Sequence, residues 1–246
     1  MCEVQMNIIS KNKVQITFGF LLTGLIFLTS CSSVQPMHGT SSEIKGTIKD
    51  GRYFSPNGNF SCAVPPLAKP GAIIEDSLDK TKDGYVGTVK FEDDYGKLFR
   101  VDWYEVPTDI QEHEKKLGKP LYGATMLEGF LTLQMQNFHH VFPEATVEAE
   151  ETIGDITNLM LFADVRIPKG ATLTDNGQRL DCSRGLFIFN RNNWAYVISI
   201  QDVCDDSTAL VSIDGNSFHP SKPTVEERKA DLKPRLEKFL LGFEFK

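Results

Sequence analysis

The chain has 246 residues, of which 41% are hydrophobic, and a formal net charge of −7 at pH 7. This length is sufficient for one domain with a sizeable core. The acidic balance argues against nucleic acid or an anionic lipid surface as a partner, since both require a basic patch. The densest basic stretch, residues 228–238, is interleaved with acidic residues in the pattern of a solvated helix face.

The chain begins with a short basic flank and an apolar run. Lys11 and Lys13 precede the uncharged run ITFGFLLTGLIFL at residues 16–28, and Cys31 follows shortly after it. A helix of this length extends about 20 Å, which is short of the roughly 30 Å hydrocarbon core of a membrane. The order of basic, apolar and small polar residues is instead typical of an export signal.

The residues Leu28, Thr29, Ser30 and Cys31 resemble the lipobox of bacterial lipoproteins. The resemblance implies that Cys31 is acylated and becomes the first residue after cleavage, so that lipid on Cys31 attaches the protein to the membrane. An ordinary cleaved signal and an uncleaved anchor are the alternatives. By the same resemblance, an aspartate just after the cysteine retains many lipoproteins at the inner membrane. Ser32 therefore favours the periplasmic face of the outer membrane, if the source has two membranes.

These features divide the chain into three parts. Residues 1–30 are the predicted signal peptide, residues 31–50 are the lipidated N-terminus with a flexible tether, and residues 51–246 are a single folded domain. The tether is assigned from its polar composition, which is rich in Ser, Gly and Thr. Translation from Met6 instead of Met1 would give the signal a more usual length.

Three cysteines remain after Cys31, in a compartment that the signal predicts to be oxidising. Cys182 and Cys204 flank two strand-like runs that meet near Asn193. A hairpin centred near Asn193 would place the two cysteines opposite each other, which predicts a disulfide between them. Cys62 is in register with apolar neighbours, so we expect it to pack as a small apolar residue.

The predicted domain opens with strands. Asn57 and Gly58 separate two short strand-like runs, which is a strong hairpin signal. The runs GYVGTVKFE and KLFRVDWYEV, at residues 84–92 and 97–106, predict a second antiparallel pair. The second run alternates apolar and polar residues from 99 to 104, which predicts one buried face and one wet face.

The clearest helix signal covers residues 121–141 and ends before Pro143. Apolar residues recur there at three- and four-residue steps, and Gln134 is the polar interruption of this stripe. Strand patterns follow at residues 145–153 and 158–168, and again in the two runs between Cys182 and Cys204.

A capping box from Thr224 to Glu227 predicts the start of a C-terminal helix. Pro234 is expected to interrupt this helix, which would restart there. The alternation of Phe243 and Phe245 predicts a short terminal strand.

Runs of antiparallel strands with segregated helices predict the α+β class, with helices packed on an antiparallel sheet. The segments YFSPNGNFSCAVP at 53–65 and RLEKFLLGFEF at 235–245, together with the element order, resemble the PsbP-like α/β/α sandwiches. That family includes bacterial lipoproteins and photosynthetic lumen proteins. The resemblance implies a shared scaffold over residues 51–246 and transfers no site residue.

Familiar catalytic and metal-binding signatures fail in this sequence. His113 and Glu114 begin the zinc-protease pattern H-E-x-x-H, but Leu117 stands where the second histidine is required. The serine-hydrolase elbow, the dinucleotide-binding glycine pattern, a phosphate-binding loop and C-x-x-C are missing too. His139 and His140 are adjacent, so on a helix they point about 100° apart and cannot grip one metal ion together. We expect one of them to pack and the other to face solvent. We predict no catalytic residue, no metal site and no cofactor.

Two weaker patterns point to binding. Asp202, Asp205 and Asp206 follow a strand and fit either a solvated loop or a calcium site. Tyr104 and Tyr196, with the tryptophans of the same two strands, fit either core packing or an aromatic groove. Because a tyrosine hydroxyl tolerates water, these two tyrosines are the predicted ligand contacts.

The sequence therefore favours a lipid-anchored protein of the cell envelope, with a non-catalytic domain that binds a protein or another envelope component. One alternative is a hydrolase with a carboxylate–histidine site at His139 or His140. Another is a carrier of a small ligand or lipid, which requires an apolar cavity behind Leu127, Phe130 and Phe138.

Overall fold

The structure is a computed structural model. It describes residues 45–66, 73–82, 84–92, 97–117, 119–154, 158–172, 177, 179–203, 210–211, 217–218 and 223–246. The predicted signal peptide, Cys31 and Cys204 lie outside these residues. In the described part of the chain, no helix combines the length and the apolar character needed to cross a membrane.

The described residues form strands and helices that follow one another along the chain. They are β1 (Thr47–Lys49), β2 (Arg52–Phe54), β3 (Phe60–Ala63), β4 (Ile73–Thr81), β5 (Gly84–Glu92), β6 (Leu98–Glu105), α1 (Thr108–Leu117), α2 (Lys119–Val141), β7 (Thr146–Ile153), β8 (Met160–Thr172), β9 (Arg179–Arg191), β10 (Trp194–Val203), β11 (Leu210–Val211), β12 (Ser217–Phe218), α3 (Val225–Leu240) and β13 (Phe243–Phe245).

Two antiparallel sheets form the framework of the domain. The larger sheet has seven strands in the order β4-β5-β6-β10-β9-β8-β7, and the smaller has four in the order β1-β2-β3-β13. β11 and β12 form a separate pair. The smaller sheet therefore joins the first described strands to the last one. Antiparallel sheets with a few helices confirm the predicted α+β class.

Turn chemistry fixes the register of the central hairpin. Asn192 and Asn193 have φ angles of 50° and 64°, as the two middle residues of a type I′ turn require. This two-residue turn pairs Trp194 with Arg191, and the ladder continues to the far end of β10. The predicted hairpin at Asn57 and Gly58 is also confirmed, since β2 pairs with β3 across it.

One face of the larger sheet is covered in part by α2. The helix buries Leu127, Leu131 and Phe138 in an apolar cluster with β8, β9 and β10. The strand residues of this cluster include Leu161, Ala163, Val165, Ile167, Leu186, Ile188 and Val197. The stripe predicted for residues 121–141 is thus the buried side of α2. Leu127 and Phe138 pack in this cluster against the side chains of the strands, and the carrier function stays a prediction.

The opposite face of the larger sheet is covered by α3 and by the smaller sheet. Leu232, Leu236 and Phe239 of α3 are buried there. Phe60 of β3 lies 5.1 Å from Trp103 and 5.9 Å from Tyr196, measured between ring centroids. The domain consequently has a layer of strands between α2 on one side and α3 on the other.

Pro234 lies inside α3, which runs without interruption from Val225 to Leu240. The expected break at Pro234 is therefore wrong. Proline has no N–H to donate and strains the preceding turn, but Leu232 and Leu236 on either side are almost completely buried against the sheet. Their packing outweighs the cost of the proline.

Regular structure begins before the predicted domain boundary at Gly51. The Gly46 N–H and the Tyr53 hydroxyl each donate to the Asp76 carboxylate, at 2.8 Å in both cases. β1 then pairs with β2. The last residues of the range 31–50, which we predicted to be a tether, thus belong to the smaller sheet.

Candidate binding site

Polar side chains collect on the part of the larger sheet that lies beside α2. We call this surface the polar shelf and define it by Lys90, Arg100, Asp102, Tyr104, Arg184 and Gln201. Strand alternation places them there: residues 100, 102 and 104 lie on the face of β6 opposite to that of buried Trp103. The register sets Arg100 opposite Lys90 and Arg184 opposite Gln201. The polar face predicted for residues 99 to 104 is this shelf, but the expectation that it is wet is wrong, because Asp102 is only 6% exposed and Arg100 and Tyr104 are half-buried.

Two of the three cations on the shelf have carboxylate partners. Arg100 donates from Nε to Asp102 Oδ2 at 2.8 Å and from Nη2 to Oδ1 at 2.7 Å. Lys90 Nζ lies 3.6 Å from Glu75 and 3.5 Å from Glu92. Burial by itself would lower the pKa of Arg100, but the Asp102 charge and hydrogen bonds outweigh it and raise that pKa above its ordinary value.

Arg184 is the third cation and lacks such a partner. Its Nε donates to Gln201 Oε1 at 3.1 Å, its Nη2 donates to the same oxygen, and its Cζ lies 5.1 Å from the ring centroid of Phe138. Among the described residues, no carboxylate is within ion-pair distance of it. Burial lowers the pKa of Arg184 to about 10. The positive charge of Arg100 acts in the same direction, whereas the charges of Cys182, Asp102 and Glu92 act in the opposite one. The guanidinium is half-buried beside a neutral amide and an aromatic ring.

Tyr104 borders the shelf where the sheet meets α2. Its hydroxyl oxygen accepts from Gln134 Nε2 at 2.8 Å, and its ring lies 5.7 Å from Phe130. Gln134, the polar interruption of the α2 stripe, is thereby explained. Burial is the main reason that the pKa of the Tyr104 phenol lies above its ordinary value. The tyrosine remains half-buried, and its role in ligand contact stays a prediction.

Tyr196 lies on the other face of the sheet and is 1% exposed. Its ring stacks on Phe189 at 5.4 Å and meets Phe245 edge-on at 5.0 Å. Burial raises the pKa of its hydroxyl well above the ordinary value. The expectation that the tip of Tyr196 meets water is wrong, because the smaller sheet closes over this face. Tyr104 and Tyr196 do not share a groove.

Only Cys182 of the predicted disulfide lies in the described part of the chain. Cys182 is buried, its Sγ lies 3.7 Å from the Ile167 carbonyl oxygen, and its partner in the ladder is Val203. The hairpin is therefore centred between Asn192 and Asn193, half a residue from the centre that we assumed. Cys204 is outside the described residues, so the disulfide stays a prediction. Cys62 is fully buried, as expected, and burial raises its pKa to about 12.

The two histidines lie on the last turn of α2. Both are exposed, so the expectation that one of them packs is wrong. A ring nitrogen of His139, Nε2, is 2.8 Å from the Ala145 carbonyl oxygen. This contact ties the end of α2 to the start of β7 and gives His139 a structural partner.

A second polar cluster lies under the N-terminal half of α3. Asp164 and Ser183 are buried and hydrogen-bonded to each other, and Arg228 donates from Nε to Asp164 Oδ2 at 3.1 Å. Arg228 also donates to Glu148 and, at 2.8 Å, to the Pro223 carbonyl oxygen. These contacts use all three nitrogens of the guanidinium. The cluster therefore attaches α3 to β7, β8 and β9.

A cavity of about 240 Å³ opens beside this cluster. It is lined by Ser183, Asp202, Val203, Pro223, Glu227, Arg228, Asp231 and Leu232. Asp202, predicted to lie in a solvated loop or a calcium site, is instead the last residue but one of β10. It pairs with Arg235, which also contacts Asp231. Asp205 and Asp206 lie outside the described residues. The cavity is smaller than the roughly 300 Å³ at which ligand pockets begin.

Sequence reasoning missed Arg184 and Gln201. Cys182, Leu186 and Ile188 share the α2-facing side of β9 and are apolar, so Arg184 is the charged exception on that side. This exception was visible in the alternation of the strand. Its lack of a counter-ion was not visible, because it depends on which residue of β10 lies opposite.

No protein-family model and no curated protein matches the chain. The structure is similar to the solution structure of cyanobacterial PsbP (CyanoP) from Synechocystis sp. PCC 6803, with 11% identity and a TM-score of 0.39, over 86% of this chain and 98% of that one. It is also similar to PA94 of Pseudomonas aeruginosa, described as a protein of unknown function and putative regulator, with 8% identity and a TM-score of 0.30, over 52% and 83%.

Proposed function

We propose that this chain is a lipid-anchored protein of the bacterial cell envelope, whose domain binds a ligand or protein partner through the polar shelf. The role is binding rather than catalysis. The anchor is lipid on Cys31, at the periplasmic face of the outer membrane if two membranes are present. The domain is a PsbP-like α/β/α sandwich, a proposal that the order of layers supports.

One observation carries the binding role, namely the half-buried guanidinium of Arg184. A charge that is partly removed from water is costly unless a counter-ion or sufficient hydrogen bonds compensate it. Arg100 and Lys90 on the same shelf are compensated by carboxylates, whereas Arg184 has only the Gln201 oxygen and the Phe138 ring. A protein surface that retains such a group has a position ready for an external acceptor.

The anchor is tested by Cys31→Ser in cells labelled with a palmitate analogue. We expect loss of the label and release of the protein from the membrane fraction, or its accumulation in unprocessed form. Unchanged labelling would disprove the anchor. Labelling does not depend on the shelf, so it tests this half of the proposal alone.

The shelf is tested by affinity capture from detergent-solubilised envelope, with three versions of the full-length protein. The wild type should enrich a component that Arg184→Met does not. Arg166→Met is the matched control, because Arg166 lies on the opposite face of the sheet and is paired with Asp181 at 3.0 Å. Equal enrichment by all three versions would disprove binding at the shelf.

A further inference from the structure

We infer that the polar shelf binds an oxyanion, a carboxylate or phosphate group of its ligand, at the Nη1 end of the Arg184 guanidinium. This inference rests on the proposed binding role of the shelf and specifies the chemistry of the ligand. It depends on three features of Arg184, which are its charge balance, its fixed orientation and its remaining donors.

The charge balance distinguishes Arg184 from its neighbours. Asp102 takes two nitrogens of Arg100, and Glu75 and Glu92 flank Lys90. No described carboxylate is hydrogen-bonded or ion-paired to Arg184. Asp102 and Glu92 act on its charge favourably only from a distance, Arg100 acts unfavourably, and burial is the largest effect on its pKa. An anion at Arg184 would relieve both the burial of the charge and this repulsion. A neutral or cationic ligand would relieve neither.

The orientation of the guanidinium is fixed before any ligand arrives. Gln201 is almost completely buried, and its side-chain oxygen accepts from both Nε and Nη2 of Arg184. The ring of Phe138, from α2, lies against the guanidinium carbon at 5.1 Å. A side chain that is already oriented loses little conformational entropy on binding. Gln201 and Phe138 therefore act as positioning residues.

The remaining donors suit an oxyanion. Nη1 makes no hydrogen bond to a described residue and is not completely buried, so solvent reaches it. Its two N–H groups, with the free N–H of Nη2, form the planar end of the guanidinium. Arginine binds carboxylate and phosphate oxygens through this planar end with two parallel hydrogen bonds.

The test measures thermal unfolding of the full-length protein in nonionic detergent, at constant ionic strength set with chloride. Inorganic phosphate and acetate are the two probes, added in separate titrations. We expect at least one probe to raise the Tm of the wild type by several degrees in a saturable manner, since a ligand of the native state stabilises it. The probe that acts identifies the group as phosphate or carboxylate.

Two variants make the result specific. Arg184→Met should show no saturable shift, and without added probe its Tm should equal or exceed that of the wild type, because an uncompensated charge has been removed. Arg166→Met, on the opposite face, should retain the shift of the wild type. A shift of equal size in Arg184→Met would mean an adventitious effect of the ion only, and it would overturn the inference.

A third outcome separates this inference from the function on which it rests. If neither probe shifts the wild type while capture from the envelope still requires Arg184, the oxyanion assignment is wrong and the binding shelf stands. If capture is also independent of Arg184, both are wrong. A marked loss of stability in Arg184→Met without probe would assign Arg184 a structural role and overturn the inference as well.

Discussion

Replacing Arg228 by methionine should lower the free energy of unfolding by about 3–5 kcal/mol, the usual cost of removing one partner of a buried ion pair. The structure indicates this range, because Asp164 is 0% exposed and Arg228 is 7% exposed. In the variant, Asp164 would keep only the hydroxyl of Ser183, and the Pro223 carbonyl would lose its donor. An unpaired carboxylate would then remain inside the domain.

The assay is urea unfolding of the full-length protein in nonionic detergent, followed by fluorescence of Trp103 and Trp194. For a domain of about 200 residues, the predicted loss of unfolding free energy would also lower the Tm, by roughly 10 °C. Arg235→Met is the matched control. Arg235 lies on the same helix as Arg228 and pairs with Asp202 and Asp231, but it is 26% exposed. Asp202 and Asp231 are 32% and 59% exposed, and pairs that solvent screens contribute about 0–1 kcal/mol, so the control should lose much less stability than Arg228→Met.

The double variant Asp164→Leu with Arg228→Met separates the charge from the packing. Replacing both partners of a buried pair by apolar residues is often neutral, so the double variant should recover most of the loss. The interaction energy follows from the cycle of single and double variants. If Arg228→Met and Arg235→Met cost the same, or if the double variant is no more stable than Arg228→Met, the reasoning is refuted.

Three further predictions concern stability. Pro234→Ala should stabilise the protein by about 1–2 kcal/mol, because it restores a helix hydrogen bond at an exposed position; a lower urea midpoint would contradict this. Gly87→Ala should destabilise by more than about 2 kcal/mol, since a Cβ there would lie 2.1 Å from the Trp103 ring, and near-UV circular dichroism should change with it. Thr224→Ala should cost about 1 kcal/mol, and this cost should shrink in acid. Hydrogen bonds from Thr224 lower the pKa of Glu227 in the folded protein. The capping box therefore stabilises the fold fully above the ordinary glutamate pKa, and this stabilisation is lost as the pH falls through the lowered pKa of Glu227. A Thr224→Ala effect that is independent of pH would exclude this coupling.

Elements encoded by local chemistry were predictable from the sequence. Thr224 and Glu227 form the expected capping box at the start of α3, because both partners lie within one turn. The alternation of Phe99, Val101 and Trp103 predicted the buried face of β6 correctly, because strand geometry alone determines it. Such signals need no knowledge of distant residues.

Elements that depend on tertiary contacts were not predictable. β4 was missed, because its sequence IIEDSLDKT at the sheet edge is mostly polar. Tyr104 and Tyr196 looked equivalent in the sequence, yet only Tyr196 is closed off, by a sheet whose last strand comes from the C-terminal region. Pro234 looked like a helix break because local rules do not include the burial of Leu236.

The pairing of β3 with β13 has a consequence for biosynthesis. Phe60 aligns with Phe245 in the ladder, although more than 180 residues separate them in sequence. Contacts of this range form late, since a large loop must close before they stabilise the chain. The smaller sheet cannot be completed until the ribosome has made Phe243–Phe245. A nascent chain would thus remain incompletely folded during synthesis, which is compatible with the export that we propose.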